Sequence, residues 1–427
     1  MATALFLGFT AMMLLRVPVA MAIGCAVVLT LIAAGYGDGL YIVPQQILEG
    51  VDNASLVAVP FFILAGNLMN VSGMTDRIFN FAMALVGHMK AGLAQVNVLA
   101  SMVFAGVNGT AVGDIAGLGQ LEVKAMRERG YPADFAAALT VASAVVGPII
   151  PPSVGLVVYA YLSGTSVARL FLAGLVPGVL VGIALMAFNR LYATRFDIPT
   201  EPRASLRQVL HAARDGLTAL VAPLIILLSI TTGFTTATEA GVLACTYALV
   251  VGLLYRQMTW RLVWKAVSDT MLMSSVVMII IGFSTVMGWL LAIEQAPQRL
   301  AEAMLSMTDS RPVFLALLVA FFLIIGCFVE GVPAKLILVP TLLPLIDRYG
   351  IDRVHFGIMV QLALLIGIAT PPMGIGVYVV SEVARVPFER VTLAILPLLV
   401  PLILMLLLLT YVPAISLTLP DLVMGKD

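Results

Sequence analysis

Two pairs of short stretches hold the residues best able to do chemistry in this chain. Residues 106–114, with Asn108, Gly109 and Thr110 at their centre, pair with Gly147-Pro148-Ile149-Ile150-Pro151-Pro152-Ser153. Residues 326–333, which include Glu330 and Gly331, pair with Gly367-Ile368-Ala369-Thr370-Pro371-Pro372. Proline lacks the N–H that a continuing helix needs, so each break ends one helix on free carbonyls and starts the next on free N–H groups. Carbonyls beside a hydroxyl or amide oxygen suit a hard monovalent cation such as sodium, and helix N-termini suit an anionic group. One sodium group is therefore expected at Asn108, Gly109, Thr110, Gly147 and Ser153, and a second at Glu330, Gly331, Gly367 and Thr370. Asp114, Pro151, Pro152, Pro371 and Pro372 are expected to face the ligand between them. This is binding chemistry. Cys25, Cys245 and Cys327 lie far apart, His88, His211 and His355 are isolated, and neither an HExxH pair nor a Walker A sequence occurs, so an enzyme, a metal hydrolase or a cofactor site is not expected.

Several of these residues have a plainer reading. Asp114 has the type and position of an N-terminal cap for a helix over 115–129. Glu330 has no such role in its immediate sequence; it can stay protonated or pair with Lys335. Thr236 and Glu239 stand at capping-box spacing. Methionines are core filler, and Trp260, Trp264 and Trp289 serve as filler or interface anchors. No Arg or Lys falls at either break, so an anion there would be held by helix ends and neutral donors, with modest affinity.

Breaks of this kind need elements to carry them across a membrane. Of 427 residues, 61% are hydrophobic and 11% charged, against roughly 25% charged in soluble domains. Runs such as 17–34, 216–230 and 271–292 have the length needed to cross a hydrocarbon layer of about 30 Å. Residues 1–15 lack a basic n-region and are expected to remain as a span. A net charge of zero gives no support to nucleic-acid binding. The chain also repeats: a shift of 220 residues pairs Gly106 with Gly326, Gly130 with Gly350, Gly147 with Gly367, Pro151 with Pro371, Pro152 with Pro372 and Pro177 with Pro397. Gly and Pro mark special backbone positions, so a backbone shape is duplicated.

Each half reads as two spans, a third span, a short amphipathic segment, a re-entrant hairpin, a span broken at Pro-Pro and a final span. The first half places these at 2–15, 18–36, 54–72, 75–90, 92–128, 133–164 and 168–192. The second places them at 216–232, 237–255, 270–292, 295–307, 311–347, 353–383 and 389–413. The fold class is thus all-α polytopic membrane protein, two inverted repeats of five spans plus one hairpin each, since five crossings reverse the second half. With the N-terminus outside, 16 of the 23 Lys and Arg fall on the cytoplasmic side, in keeping with the positive-inside rule. Both termini are expected to be periplasmic, with the linker 193–215 in the cytoplasm.

Beyond the breaks, Val59-Pro60-Phe61-Phe62-Ile63-Leu64-Ala65-Gly66, Gly130-Tyr131, Ile149-Ile150-Pro151-Pro152-Ser153, Leu170-Phe171-Leu172-Ala173-Gly174, Pro177-Gly178, Phe234-Thr235, Thr238-Glu239-Ala240 and Ala369-Thr370-Pro371-Pro372-Met373-Gly374 are spread over nearly the whole chain. In these residues the sequence resembles the large membrane subunit of the tripartite ATP-independent periplasmic (TRAP) transporters. It departs from the family at the first tip, where Asn108-Gly109-Thr110 stands in place of a usual Ser-Gly-Ser. The resemblance implies an ion-transporter-superfamily elevator: scaffold spans and an arm at 1–90 and 216–309, transport parts at 91–192 and 310–413, and a tail at 414–427. It implies a bacterial or archaeal inner membrane, sodium as coupling ion, a carboxylate substrate, a periplasmic substrate-binding protein and a small four-helix membrane subunit, here on a separate chain. A stand-alone sodium- or proton-coupled carboxylate carrier of the same superfamily is the alternative.

Overall fold

The computed structural model describes residues 2–15, 17–35, 40–54, 56–192, 202–295, 299, 308 and 310–426, with no side-chain description for 105–108 among others. The described residues form helices with no strand between them. In the first half these are α1 (Ala2–Leu14), α2 (Val19–Ala33), α3 (Ile42–Val51), α4 (Ala58–Val71), α5 (Met74–Val86), α6 (Gly92–Asn108), α7 (Ala111–Glu128), α8 (Ala133–Ala144), a 3-10 turn at Gly147–Ile149, α9 (Val154–Ser163) and α10 (Val167–Tyr192). The second half contains α11 (Leu206–Thr231), α12 (Ala237–Leu254), α13 (Trp260–Ile293), α14 (Arg311–Phe328), α15 (Gly331–Arg348), α16 (Arg353–Ile368), α17 (Ile375–Ala384), α18 (Phe388–Tyr411) and α19 (Ala414–Met424). Six helices are long and apolar enough to cross a membrane, and up to eight spans result if each of two bent pairs is counted as one.

The 220-residue register reappears in the helix bounds. Shifting α7 by 220 gives the bounds of α15, and shifting α6, α8, α9 and α10 brings each starting point within one residue of those of α14, α16, α17 and α18. Gly130 and Gly350 both take positive φ, 87° and 61°, in the turn that returns each hairpin toward its broken span. A side chain other than glycine is strained there. Both Pro-Pro bonds, Pro151-Pro152 and Pro371-Pro372, are cis.

Some bounds differ from the sequence expectation. The third element of the second half is one 34-residue helix, α13, starting at Trp260, where a span from 270 was expected. Its counterpart is split into α3 and α4. The difference lies at Asp52-Asn53, turn-forming residues that face Leu272-Met273 in the register. Thr259 starts α13 by accepting from Leu262 N at 3.4 Å. Residues 206–215, expected in the linker, are the first turns of α11, begun by a capping box between Ser205 and Gln208. Residues 414–424, expected as tail, form α19, held to α10 by an ion pair of Arg169 with Asp421 at 2.8 Å. The hairpin arms have 17 or 18 residues each, about 26 Å of helix, longer than the half-depth helices expected. The amphipathic segment of the first half is α5, bent by 71° from α4. Its expected counterpart at 295–307 and the linker residues 193–201 lie outside the described residues, apart from isolated positions.

The two halves are packed through each other. α7 lies against α8 of its own half and against α17 of the other, while α15 lies against α16 and against α9 of the other half. α16 is buried from Val354 to Ile368 and α8 from Phe135 to Ala144, so these helices form the centre. Around them α4 packs on α12 and α13, and α5 on α11. The exchange of arms brings the two breaks face to face.

Candidate functional site

One cavity lies where the breaks meet. It is lined by Gly109, Thr110, Ala111 and Val112 at the start of α7, Val154 and Gly155 at the start of α9, and Glu330, Gly331 and Val332 at the start of α15. Pro148, Lys335, Gln361, Leu364, Leu365 and Ile368 complete the wall of a small cavity of about 50 Å³ that opens to solvent. Three helix N-termini therefore converge on one space. Each end presents unpaired N–H groups and about half a positive charge, an arrangement that attracts an anion.

Local sequence fixes each start. Thr110 is extended, with φ −136°, and caps α7 by accepting from Gly113 N at 3.3 Å. Gly109 before it takes φ +63°, which lets the chain turn between the two arms. Ser153 caps α9, accepting from Leu156 N at 3.3 Å and donating to Pro148 O at 2.6 Å. Glu330 occupies the cap position of α15 but makes no capping bond, and its side chain is exposed to the cavity.

A buried cation stands in the wall. Lys335 is 1% exposed, and its Nζ donates to Gly155 O at 2.9 Å and to Gln361 Oε1. Gln361 Nε2 in turn donates to Pro148 O at 2.9 Å. Two side chains of the second half thus bond carbonyls of the first, Pro148 O at the break and Gly155 O in the first turn of α9. Gly155 makes room for them: a Cβ there would stand 2.6 Å from Lys335 Nζ and 2.7 Å from Gln361 Oε1. The expectation of no Lys or Arg at either break is corrected on this point. A residue one turn into α15 projects back toward the helix N-terminus, so Lys335 reaches the tip although it is five residues from Glu330. It bonds Gly155 and Gln361 rather than pairing with Glu330.

Of the residues expected at sodium, Gly109, Thr110, Glu330 and Gly331 line the cavity. Gly147 and Ser153 are buried behind it, with Gly147 O accepting from Ile150 N at 3.1 Å. The Asn108 side chain lies outside the described residues. In the second half, Thr370 Oγ1 donates to Ile366 O at 2.7 Å, which leaves its lone pairs free. The carbonyl oxygens of Ile368 and Thr370 converge there, 3.2 and 3.1 Å from where a Cβ on Gly374 would stand. Gly367 packs backbone to backbone on Gly326, where a Cβ would fall 2.4 Å from the Gly326 Cα. The two breaks are unlike in exposure. Pro151 and Pro152 are buried, whereas Pro371 is half-buried and Pro372 and Met373 are exposed.

Pro151, Pro152, Pro371, Pro372 and Asp114 are not among the residues lining the cavity. The first Pro-Pro turn backs the tip from behind, with Pro152 O 3.5 Å from where a Cβ on Gly109 would stand. Asp114 is not the cap of α7, since Thr110 is; it lies one turn further on, 3% exposed and turned into the protein. The Thr236–Glu239 capping box forms as its spacing predicts. Gln361 and Lys335 were missed as site residues because neither stands next to a break in the chain. The available signal was a lysine and a glutamine in otherwise apolar helices.

Comparison with known proteins agrees with this geometry. Residues 6–415 match the family described as "Tripartite ATP-independent periplasmic transporter, DctM component". The sialic acid TRAP transporter large permease protein SiaM of Vibrio cholerae is 44% identical over 388 residues, 91% of each chain. The 2,3-diketo-L-gulonate TRAP transporter large permease protein YiaN of Escherichia coli is 37% identical, over 87% of this chain and 88% of its own. The C4-dicarboxylate TRAP transporter large permease protein DctM of Pseudomonas aeruginosa is also 37% identical, over 88% of both. Among solved structures, the Alcanivorax borkumensis YdaH transporter shares the fold, with a TM-score of 0.61 over 88% of this chain and 89% of that one, at 16% identity. With its whole length bar the ends matched and its broken helices meeting at a central cavity, the chain belongs to the DctM family, the large permease subunits of tripartite ATP-independent periplasmic transporters.

Proposed function

We propose that this large permease imports an organic acid, delivered by a periplasmic binding protein and driven by sodium, together with a small four-helix membrane subunit. The observation that carries the substrate class is the cavity itself. Three helix N-termini and the Lys335 ammonium surround it, and a carboxylate is the anion that such a set neutralises. Lys335, with its Nζ bonded to Gly155 O and Gln361 Oε1, stands behind the helix ends in the same wall as Glu330, so the carboxylate is held mainly by helix N-termini and neutral donors, with Lys335 in support. Glu330 on the same wall offers an acceptor to hydroxyl or amide groups of the substrate.

Sodium is assigned to both breaks. The second is the better supported, because the carbonyls of Ile368 and Thr370 converge on Gly374 there and the Thr370 hydroxyl, bonded to Ile366 O, keeps its lone pairs free. At the first break, Thr110 and the backbone of Gly109 remain available, whereas Pro148 O and Gly155 O already accept from Ser153, Gln361 and Lys335. Transport follows an elevator motion in which 91–192 and 310–413 move as one body, which the exchange of arms α7 and α15 between halves favours. Both termini face the periplasm. The test is sodium-dependent uptake by Thr370→Val in a reconstituted system: a raised half-saturating sodium concentration is expected. Unchanged sodium dependence in both Thr370→Val and Thr110→Val would remove the hydroxyl assignments.

A further inference from the structure

A second polar site lies in the first half, away from the cavity. Between α6, α7 and α8, Glu122 is 1% exposed and Asp114 is 3% exposed. Glu122 is met by donors: Asn97 Nδ2 at 2.9 Å, Thr140 Oγ1 at 3.3 Å and Ser101 Oγ at 3.5 Å. Ser143 completes the set, 3.1 Å from Ser101 Oγ and donating to Asn97 Oδ1 at 2.7 Å. Asp114 is different. Neither of its carboxylate oxygens has a hydrogen-bond partner among the described residues. Ser101 faces it from outside hydrogen-bonding geometry, and Glu122 is near enough for the two charges to repel.

The repeat provides an internal control. Shifted by 220, the six residues Asn97, Ser101, Asp114, Glu122, Thr140 and Ser143 become Leu317, Phe321, Ala334, Leu342, Val360 and Ala363. The same fold position is wholly apolar in the second half, so the hairpin does not need this polar set for its architecture. Two buried carboxylates are costly to keep unless something neutralises them. No Lys or Arg lies on α6, α8 or α17, the helices packed around α7. The cations on α7 itself are turned elsewhere: Lys124 is exposed beside Glu128, and Arg127 donates to Ala384 O at 3.1 Å.

We propose that Asp114 and Ser101, backed by Glu122, form a sodium site additional to those at the breaks. Two buried carboxyl groups are balanced by one proton and one monovalent ion: the proton stays on Glu122, within reach of Ser101 Oγ and beside the donors Asn97 and Thr140, and Asp114, which has no donor among the described residues, carries the one carboxylate charge that meets the ion. Carboxylate and hydroxyl oxygens are the ligands of a hard cation. The site lies within the transport part and does not depend on the assignments at either break.

The test counts ions. Equilibrium binding of radioactive sodium to the purified chain, at constant ionic strength with choline, is compared for wild type, Asp114→Asn, Ser101→Ala and Thr370→Val. Asp114→Asn is expected to bind one ion fewer per chain, and Ser101→Ala to weaken one binding step by about tenfold. Thr370→Val reports separately on the second break, so failure there leaves this count unaffected. A thermal melt without sodium controls for folding, and Asp114→Asn is expected to melt no lower than wild type because it removes a buried charge. If Asp114→Asn melts lower, Ser101→Ala alone decides. An unchanged sodium count and affinity in these variants overturns the proposal, as does a deficit seen as proton uptake and not as sodium.

Discussion

Gly367→Ala places one methyl group where the structure has no room. Its Cβ would stand 2.4 Å from Gly326 Cα, 2.5 Å from Gly326 C and 3.0 Å from Cys327 N. Carbon atoms rest at about 3.5–4.0 Å, so α14 and α16 must separate by roughly 1 Å. All three obstructing atoms are backbone, so no side chain can swing aside. Overpacking of this kind costs about 1–3 kcal/mol, and the upper end is expected. In a melt of the purified chain this corresponds to a loss of roughly 1–3 °C. The displacement also opens the second break, so uptake should fall further than stability does. Gly288→Ala is the control, since nothing lies within 4 Å of its Cβ position, and it should be neutral or slightly stabilising. If Gly367→Ala melts with Gly288→Ala and transports normally, the close approach of the hairpin to the broken span is wrong.

Three other perturbations probe separate parts of the account. Lys335→Met and Gln361→Leu should each reduce uptake, and the double variant should be no worse than the poorer single one, with a coupling of about 0.5–3 kcal/mol; strict additivity would mean that the two side chains do not act together. Gly155→Ala, which crowds Lys335 Nζ and Gln361 Oε1, should mimic Lys335→Met in uptake assays, whereas wild-type behaviour would disprove the seat. A single cysteine at Ser205, in a background without Cys25, Cys245 and Cys327, should react with an impermeant reagent only from the cytoplasmic side, and labelling from the periplasm would reverse the topology.

Much of the architecture was legible because Gly and Pro dictate backbone. The pairing of Gly147 with Gly367 and of Pro151-Pro152 with Pro371-Pro372 located both breaks before any packing was known. Hydropathy alone could not set the bounds of α13 or α11, because a membrane helix continues past its apolar stretch wherever no turn residue stops it. The residues around the cavity were legible only as neighbourhoods. Ser153 and Thr110 cap helices, the first Pro-Pro turn backs the tip, and Lys335 crosses from one half to the other. Which carbonyl remains free depends on what the opposite half donates, and that is a property of the exchanged arms, invisible along one chain. Asp114 stands beside the tip in the sequence, yet its neighbours in space are Ser101 on α6 and Glu122 two turns further along α7, a relation that only packing reveals.

We have proposed sodium-driven import by a large permease that works with a small membrane subunit and a periplasmic binding protein. It is tested most directly by uptake of a panel of organic acids, including sialic acid and C4-dicarboxylates, into proteoliposomes under an inward sodium gradient. The vesicles carry this chain with its small membrane subunit, and the binding protein is added outside. Accumulation of one acid that needs the gradient, both partners and an intact Lys335 is the predicted result. Equal accumulation by this chain alone, or without a sodium gradient, would contradict it and favour a stand-alone carrier.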